Sequence, residues 1–346
     1  MHIITASAPT RIDLAGGTID LWPIHCSLNH CATVNVAITL PATVTIEQSN
    51  SKTFEFHCLD LNKHESGTYQ DLCQSKNLPL FALLLSHYWS PTLPAIKITS
   101  LAKSPAGAGI GGSSCLTVVM GSALWQAKSI VQGIKTPEFS EHQLVQTSRD
   151  IEARLIFSPT GCQDYWAAIR GSINIIKYPL GHTQVNTIQA DQIASPLNEQ
   201  LILCYSGKSR DSAINNWEVF KKFYNKDQEI YNKLDKIGQL AEKCALALQN
   251  NDIETALIFS KEEWALRRKI WPTIETDETK KIDQAAIRAG AVFSRVCGAG
   301  GGGVMAIFAK KELREDICRE ISLAGGEVLP AEMARNGIQL SKERPN

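Results

Sequence analysis

The sequence has 346 residues, and at roughly 150 residues per domain this length predicts two domains that each bury a core. Lysine plus arginine and aspartate plus glutamate each number 35, so the formal net charge is zero and we expect neither a nucleic-acid nor a membrane partner. The ten cysteines form no Cys-x-x-Cys pair, which disfavours zinc and redox centres and indicates a reducing cytoplasm. Because there is no signal-peptide pattern and no apolar run near the roughly 18 residues of a membrane span, we expect a soluble, cytoplasmic protein.

The first half of the chain is rich in strand patterns, with helical patterns between them. β-Branched residues and alternation of apolar with polar side chains predict strands at residues 3–6, 32–38, 42–47, 95–101 and 172–178. Apolar residues at helical spacing predict helices at residues 71–89, 115–131, 138–157 and 163–169. The strand at 95–101 therefore leads through a glycine-rich loop, 104–114, into a long buried helix.

The second half mixes helices with a small sheet. The polar segment 181–198 has a proline near each end, so we expect the junction there, between domains 1–190 and 191–346. Strands are predicted at residues 201–205, 291–296, 304–309 and 327–331. Helices are predicted within residues 212–267 and at 279–290 and about 311–323. This order of elements indicates two α+β domains.

The loop at 107–112 has the spacing Gly-x-Gly-x-x-Gly, which by itself is a weak signal. A dinucleotide fingerprint needs an acidic residue about 20 positions further on, yet residues 104–137 contain none. A P-loop would need a lysine where Ser113 stands, and no protein-kinase motif follows the loop. What remains is backbone that approaches an anion closely and a helix N-terminus behind it, with Ser113 and Ser114 in the first turn. We therefore predict a phosphate site here; the alternative is a capped turn between strand and helix.

A second glycine cluster, 298–303, has five glycines in six residues but runs into the predicted strand 304–309. Without a helix N-terminus it makes a poor primary phosphate site. A hairpin turn does not require so much backbone freedom, so we expect this loop to pack closely against another loop or a ligand.

Three segments in this order resemble the three signatures of the GHMP kinases. They are Ala8-Pro-Thr-Arg-Ile-Asp-Leu-Ala-Gly-Gly-Thr-Ile-Asp-Leu21, the loop 105–114 and Val296-Cys-Gly-Ala-Gly-Gly-Gly-Gly303. The first segment is most similar to the sugar-kinase branch of heptose 7-phosphate kinase, fucokinase and galactokinase. The resemblance spans nearly the whole chain and implies an α+β, two-domain GHMP kinase fold. It pairs an N-terminal domain like ribosomal protein S5 domain 2 with a ferredoxin-like C-terminal domain and places the site between them.

The resemblance also implies roles for individual residues, with ATP and Mg²⁺ as cofactors. Asp164 matches the catalytic aspartate and Arg11 the arginine beside it. Ser113 and Glu152 match the Mg²⁺ ligands. The predicted ATP-binding residues are Pro105, Gly107, Gly109, Gly111, Gly112, Ser113 and Ser114. The predicted substrate-binding residues are Gly17, Thr18, Asp20, Gly300 and Gly301.

Each charged candidate also has a purely structural interpretation. Glu152 is equally placed to be a solvated helix carboxylate paired with Arg149 or Arg154. Asp164 has the position of a helix cap, and Asp20 that of a turn aspartate that caps the following segment. Arg11 has a surface arginine as its alternative.

The function that the resemblance implies is a kinase that uses ATP and Mg²⁺ to phosphorylate a sugar or sugar-phosphate hydroxyl, the anomeric one by preference. Gly17 and Thr18 replace the Glu-His pair of galactokinases, which argues against galactose, and Gly112 replaces a serine, so phosphate contact there falls to the backbone. Lys208, Arg210 and His25 are candidates for holding a phosphate on the substrate. The open alternatives are a mevalonate-type acid as substrate and a sensor that binds sugar and nucleotide without catalysis.

Overall fold

The alternating pattern of the first 48 residues forms two long antiparallel strands in this computed structural model, which describes residues 3–49, 52–135, 140–189, 194–208 and 213–343. Strand β1 is Ile3–Ala15 and β2 is Ala32–Gln48. The two strands predicted at 32–38 and 42–47 are thus one. Pro41 does not interrupt β2, because the register with β1 shifts between Ala8 and Thr10 and proline is tolerated at such an irregularity.

The first sheet has eight strands and is organised around β2. One side of β2 pairs with β1 along its length, while the other side pairs with β6 near its start and with β5 near its end. Its other strands are β3 (Phe54–Cys58), β4 (Lys63–Gly67), β5 (Ile96–Ala102), β6 (Ile173–Lys177), β7 (Gln184–Ile188) and β12 (Gln339–Glu343). The order β12-β1-β2-β5-β3-β4 places β12 and β4 at its edges.

The second sheet has four antiparallel strands in the order β11-β8-β10-β9. These strands are β8 (Leu201–Tyr205), β9 (Phe293–Val296), β10 (Val304–Phe308) and β11 (Glu327–Leu329). All four were predicted within a few residues, because their side chains are largely apolar and buried. The predicted boundary at residue 190 separates the two sheets along the chain except for β12, which returns to pair with β1.

Helices cover the sheets and supply most of the remaining core. Those of the first half are α1 (Tyr69–Cys73), α2 (Pro79–Tyr88), α3 (Gly112–Val131), α4 (Glu141–Ile156) and α5 (Gln163–Arg170). Those of the second half are α6 (Ala194–Gln200), α7 (Ala213–Tyr224), α8 (Gln228–Gln249), α9 (Ile253–Ile270), α10 (Asp277–Arg288) and α11 (Arg314–Leu323). Short 3₁₀ helices lie at Ile24–Ser27 and Lys311–Leu313. In the part of the chain that the structure describes, none of the helices is long and apolar enough to cross a membrane.

Two predictions of local structure were wrong, and strand β12 was missed. The single helix expected at 71–89 is two helices, because the chain turns before Pro79, which begins α2. The polar segment 181–198 contains β7 and α6 rather than only a linker. Strand β12 was not predicted, since all five of its side chains are exposed and it has no apolar alternation; it pairs with β1.

Candidate active site

A cleft of about 420 Å³ lies at the start of α3. Its wall brings together the end of β1, the glycine loop, α4 and the turn before α5, with Arg267 and Gly298 from the second half of the chain. The predicted site residues that line it are Arg11, Gly17, Thr18, Asp20, Pro105, Gly107, Gly109, Gly111, Gly112, Ser113, Ser114, Glu152 and Asp164. The sequence motifs therefore converge on one concave place.

The glycine loop presents an open helix N-terminus to this cleft. Gly107, Gly109 and Gly111 all have φ between +67 and +76°, a conformation that side chains strongly disfavour. Gly111 is the N-cap of α3, and among the described residues no side chain caps it. The side-chain cap that the structural alternative requires is therefore absent at the N-cap itself. The residues that carry the first N–H groups of this 20-residue helix line the cleft, and a helix N-terminus placed in this way favours phosphate.

Arg11 ties this loop to Asp164. The backbone N–H of Arg11 donates to Ile110 O (3.0 Å) and its Nη1 donates to Gly109 O (2.8 Å). Its Nε and Nη2 each lie 2.5 Å from Asp164 Oδ1. Burial works against the charge of Arg11, but the carboxylates of Asp164 and Asp13 outweigh it and raise the pKa of this guanidinium. Arg11 is 4% exposed, so its surface alternative is wrong.

Asp164 keeps one oxygen on the cleft side. Oδ1 is taken by Arg11, whereas Oδ2 accepts a hydrogen bond from Ser114 Oγ at 3.3 Å. A Cβ at Gly111 would lie 3.1 Å from Asp164 Cβ and Cγ, so a glycine is needed there for the close approach as well as for its φ. The Asp164 side chain remains about 22% exposed, which leaves Oδ2 accessible from the cleft.

Glu152 lies beside Ser113 and Ser114, in the wall of the same cleft. Tyr165 donates its hydroxyl to Glu152 Oε2 at 2.6 Å, and the residue is 6% exposed. Burial raises the pKa of Glu152, with the negative charge of Asp164 adding to the effect and hydrogen bonds from Ser113, Ser114 and Tyr165 opposing it. Glu152 is thus not a solvated helix carboxylate, and that alternative is wrong. The Glu152 carboxylate and the Ser113 hydroxyl supply hard oxygen donors of the kind that Mg²⁺ prefers, so the two predicted ligands fit the expected metal.

Asp20 caps the helix that carries Asp164. Its Oδ2 accepts the backbone N–H groups of Cys162 (2.8 Å) and Gln163 (3.1 Å), at the start of α5. Burial raises the pKa of Asp20 to about 6; the hydrogen bond from Gln163 lowers it and the charge of Asp164 raises it further. Asp20 therefore caps a distant helix, whereas the structural alternative had expected it to cap the segment that follows it. Because Asp20 also lines the cleft, the predicted contact with substrate stays a prediction.

The second glycine loop packs against the first. Val304 N donates to Ala108 O at 2.7 Å, and a Cβ at Gly303 would lie 2.3 Å from the same oxygen. The expected close packing is therefore present. Gly300 and Gly301 lie against Ile274, however, and are not among the described residues that line the cleft. This placement does not support the substrate contact predicted for them.

The remaining candidates for a substrate phosphate lie elsewhere. Lys208 Nζ pairs with Glu278 Oε1 at 2.6 Å, and the imidazole of His25 stacks on Tyr178 at 4.6 Å. Neither lines the described cleft. Arg210 lies outside the residues that the structure describes.

The sequence analysis missed a buried charge network behind the cleft. Asp13, fully buried, has Arg267 Nη1 and Arg295 Nη2 each 2.8 Å from its Oδ2, and Gly298 N donates to its Oδ1 at 2.8 Å. Glu263 also belongs to the network, with its Oε2 3.1 Å from Arg295 Nη1. Burial would raise the pKa of Asp13, but the two arginines outweigh it and hold that pKa well below its usual range.

A signal for this network was present in the pattern of α9. Its buried side chains recur every three or four residues, at Ala256, Leu257, Ser260, Glu263, Trp264, Arg267 and Ile270. Glu263 and Arg267 therefore fall on the apolar face, where a charged residue needs a partner. Arg267 belongs both to this network and to the wall of the cleft. A Cβ placed at Gly17 would lie only 2.8 Å from Arg267 Nη1, so the two residues are in close contact there.

Comparison with known proteins agrees with the geometry. Residues 77–172 match the family model of the GHMP kinases N terminal domain. The chain is 24% identical over 345 residues to a D-glycero-alpha-D-manno-heptose 7-phosphate kinase of Campylobacter jejuni, covering 98% of this chain and 99% of that relative. It is 25% identical over 257 residues to a mevalonate kinase of Pyrococcus furiosus, covering 71% of this chain and 69% of the relative.

The fold is also found among solved structures. A D-glycero-D-manno-heptose 1-phosphate kinase from Bacteriodes thetaiotaomicron superposes with a TM-score of 0.76 at 22% identity, covering 99% of this chain and 100% of that one. The fold class expected from the three motifs is thereby confirmed.

Proposed function

This chain is a GHMP-family kinase, and from that premise we propose that it transfers the γ-phosphoryl group of ATP, with Mg²⁺, to the anomeric hydroxyl of a sugar phosphate of the heptose 7-phosphate class. One observation carries the proposal: the carboxylate of Asp164, paired with Arg11, faces a cleft that also receives the uncapped N-terminus of α3. A phosphate donor and an acceptor hydroxyl can meet there.

Each group of residues in the cleft has its own proposed role in phosphoryl transfer. The first N–H groups of α3 and the backbone of the glycine loop would bind the phosphates of ATP. Ser113 and Glu152 would hold Mg²⁺, which when bound offsets negative charge on the phosphate oxygens. Asp164 Oδ2 would orient the acceptor hydroxyl and take its proton as the hydroxyl oxygen bonds to the γ-phosphorus and ADP leaves. Arg11 would balance the negative charge that gathers beside Asp164.

The substrate class rests on the similar kinases and on the cleft wall. The Campylobacter relative is a heptose 7-phosphate kinase and the solved neighbour a heptose 1-phosphate kinase. Of these two substrates, only the 7-phosphate leaves the anomeric hydroxyl free, so the proposal commits to that form. Asp20, Gly17 and Thr18 line the cleft near Asp164 and are the proposed contacts for sugar hydroxyls.

The test is a substrate panel with purified protein, ATP and Mg²⁺. The panel contains heptose 7-phosphate, heptose 1-phosphate, fucose, galactose and mevalonate, and ³¹P NMR locates the new phosphate. We expect turnover of the 7-phosphate sugar with a product phosphorylated at the anomeric carbon. Turnover of mevalonate alone would replace the substrate assignment with the acid alternative.

The catalytic assignment needs its own control. Asp164→Asn is compared with Asp150→Asn, which changes an exposed aspartate of α4. We expect activity to be lost only in the first variant. Equal activity in both variants would contradict the role of Asp164, and tight binding of ATP and sugar without any product would favour the non-catalytic alternative.

A further inference from the structure

A group of metal-binding side chains lies on the hairpin formed by β3 and β4, outside the active site. Glu55, His57 and His64 each offer one ligand atom, and these atoms lie within 4.8 Å of one another. His57 Nε2 is 3.1 Å from Glu55 Oε2, and the imidazole rings of His57 and His64 are 4.2 Å apart between centroids.

The strand register holds these three side chains on one face. His57 and His64 are directly opposite each other in the antiparallel pair β3–β4. Glu55 precedes His57 by two residues, so its side chain points to the same face of the strand. Phe56 and Cys58, which alternate with them along β3, are buried on the other face. The arrangement is thus fixed by backbone hydrogen bonds rather than by a flexible loop.

Two imidazoles and one carboxylate form a donor set suited to borderline transition metals. Zn²⁺ binds histidine nitrogen and carboxylate oxygen at about 2.0–2.2 Å, with three protein ligands where a fourth position is left to water. The 4.8 Å limit is a distance between ligand atoms. Small rotations of the three side chains would let all three atoms reach one ion placed between them at these bond lengths. His64 is exposed while Glu55 and His57 are half-buried, so an ion can enter from solvent. We propose that Glu55, His57 and His64 form a binding site for a divalent transition-metal ion of the Zn²⁺ type.

Neighbouring residues leave the carboxylate available for this role. Ser49 Oγ donates to Glu55 Oε1 at 3.0 Å, which fixes the carboxylate and leaves Oε2 directed at His57. Lys97 is the partner of Glu55 in the register of β3 with β5, and its ammonium lies 3.4 Å from Glu47 Oε2. Glu47 therefore shares the charge of Lys97, which also acts on Glu55.

The site would brace an edge of the first sheet. Strand β4 is the outer strand, paired only with β3 among the described strands, and a metal bound by His57 and His64 would join the two. The turn that follows β3 contributes Asp60 and Leu61 to the wall of the cleft. The proposed ion thus lies on the same hairpin as part of that wall, yet uses none of its residues.

Metal binding is measured directly, without reference to kinase activity. Protein freed of metal with a chelator and treated with N-ethylmaleimide, so that the exposed Cys26 does not contribute, is dialysed against Zn²⁺ and its metal content determined. We expect one Zn²⁺ bound per chain and a higher melting temperature in the presence of Zn²⁺.

Three variants locate the ion. His57→Ala and His64→Ala each remove a ligand, and we expect a loss of affinity greater than the roughly 10- to 100-fold that removal of an outer partner costs. His182→Ala is the matched control, because His182 is an exposed histidine in a turn away from this hairpin. This variant should bind Zn²⁺ with the affinity of the parent protein. No Zn²⁺ bound by the parent protein, or equal affinity in His64→Ala and the parent, would overturn the proposal. Because His64 is exposed, its replacement should leave the fold intact, so circular dichroism separates loss of the site from loss of structure.

Discussion

Asp13 and Asp164 both lie near Arg11, yet the two carboxylates are built into the molecule in opposite ways. Asp13 is fully buried and both of its oxygens are engaged, by two arginines and a backbone N–H. Asp164 gives one oxygen to Arg11 and presents the other to the cleft beside a serine hydroxyl. A charge network with every oxygen engaged thus holds the sequence motifs in place, while the carboxylate beside it keeps the exposure that the proposed catalytic role requires.

The largest effect is expected at the partly exposed carboxylate. Replacement of Asp164 by asparagine keeps the shape of the side chain but removes the proton acceptor and the charge that faces Arg11. We expect kcat to fall about 100- to 10,000-fold, the range that a positioned acid–base group contributes. Steady-state kinetics measure the fall, and thermal unfolding should show a far smaller change. If Asp164→Asn lowered thermal stability as strongly as Asp13→Asn is expected to do, the difference in role between the two carboxylates would be contradicted.

The next effect is expected at the buried carboxylate. Asp13→Asn leaves Arg267 and Arg295 buried without their shared counter-charge, and breaking such a buried pair costs about 3–5 kcal/mol. We expect the free energy of unfolding to drop by this amount in denaturant titrations. Asp316→Asn, which removes an exposed carboxylate on α11, serves as the control. If both variants were equally stable, Asp13 would not hold the structure together as described.

The pKa of Asp20 is raised by folding whereas that of Asp13 is lowered, and this difference can be tested by measuring stability against pH. Burial raises the pKa of Asp20 to about 6, above its ordinary value of 3.8, so the folded protein retains this proton at pH values where the unfolded chain has lost it. Ionisation of Asp20 therefore opposes folding, and its contribution declines as the pH rises from about 4 to about 6, by up to about 3 kcal/mol. The contribution of Asp13 has the opposite sign, since its pKa is lowered on folding.

The measurement compares parent and Asp20→Asn by denaturant titration across this pH range. Asparagine can still accept the helix N–H groups, so the variant should lack only the pH-dependent part. We expect the parent to lose stability relative to Asp20→Asn between pH 4 and 6, with a constant difference above that range. A difference that does not change with pH would show that Asp20 is not the titrating group.

The smallest effect is expected at an exposed ion pair. The pair between Lys208 and Glu278 is exposed to solvent on both sides, and exposed pairs of this kind add little to stability. We expect Lys208→Ala to leave the free energy of unfolding nearly unchanged and to leave KM for the sugar phosphate unchanged. A large rise of KM would restore Lys208 as a residue that holds the substrate phosphate.

The sequence was most informative where function depends on local backbone. The glycine loop, the start of α3 and the turn before α5 were placed from residue spacing, because glycine and helix signals act over a few positions. The two hydrogen bonds to Asp20 were not predictable in the same way, since their donors, the backbone N–H groups of Cys162 and Gln163, are more than 140 residues away in the chain.

Long-range pairing explains the other omissions. Arg295 stands in a short apolar strand and Arg267 in a charged helix, and only the fold brings both to Asp13. Strand β12 has no apolar alternation, because its exposed side chains lie outside the core, and its pairing with β1 is not signalled by its own sequence. In each case the missing information was a contact between distant segments, not a local preference.

The pairing of β12 with β1 has a consequence for folding of the chain during its synthesis on the ribosome. Residues 3–7 must wait for residues 339–343 to be synthesised before their outer backbone groups find a partner. Until then the nascent chain carries an open sheet edge on the strand that bears Arg11, and open edges attract foreign strands. Chaperone demand during translation should therefore persist until the last strand has emerged.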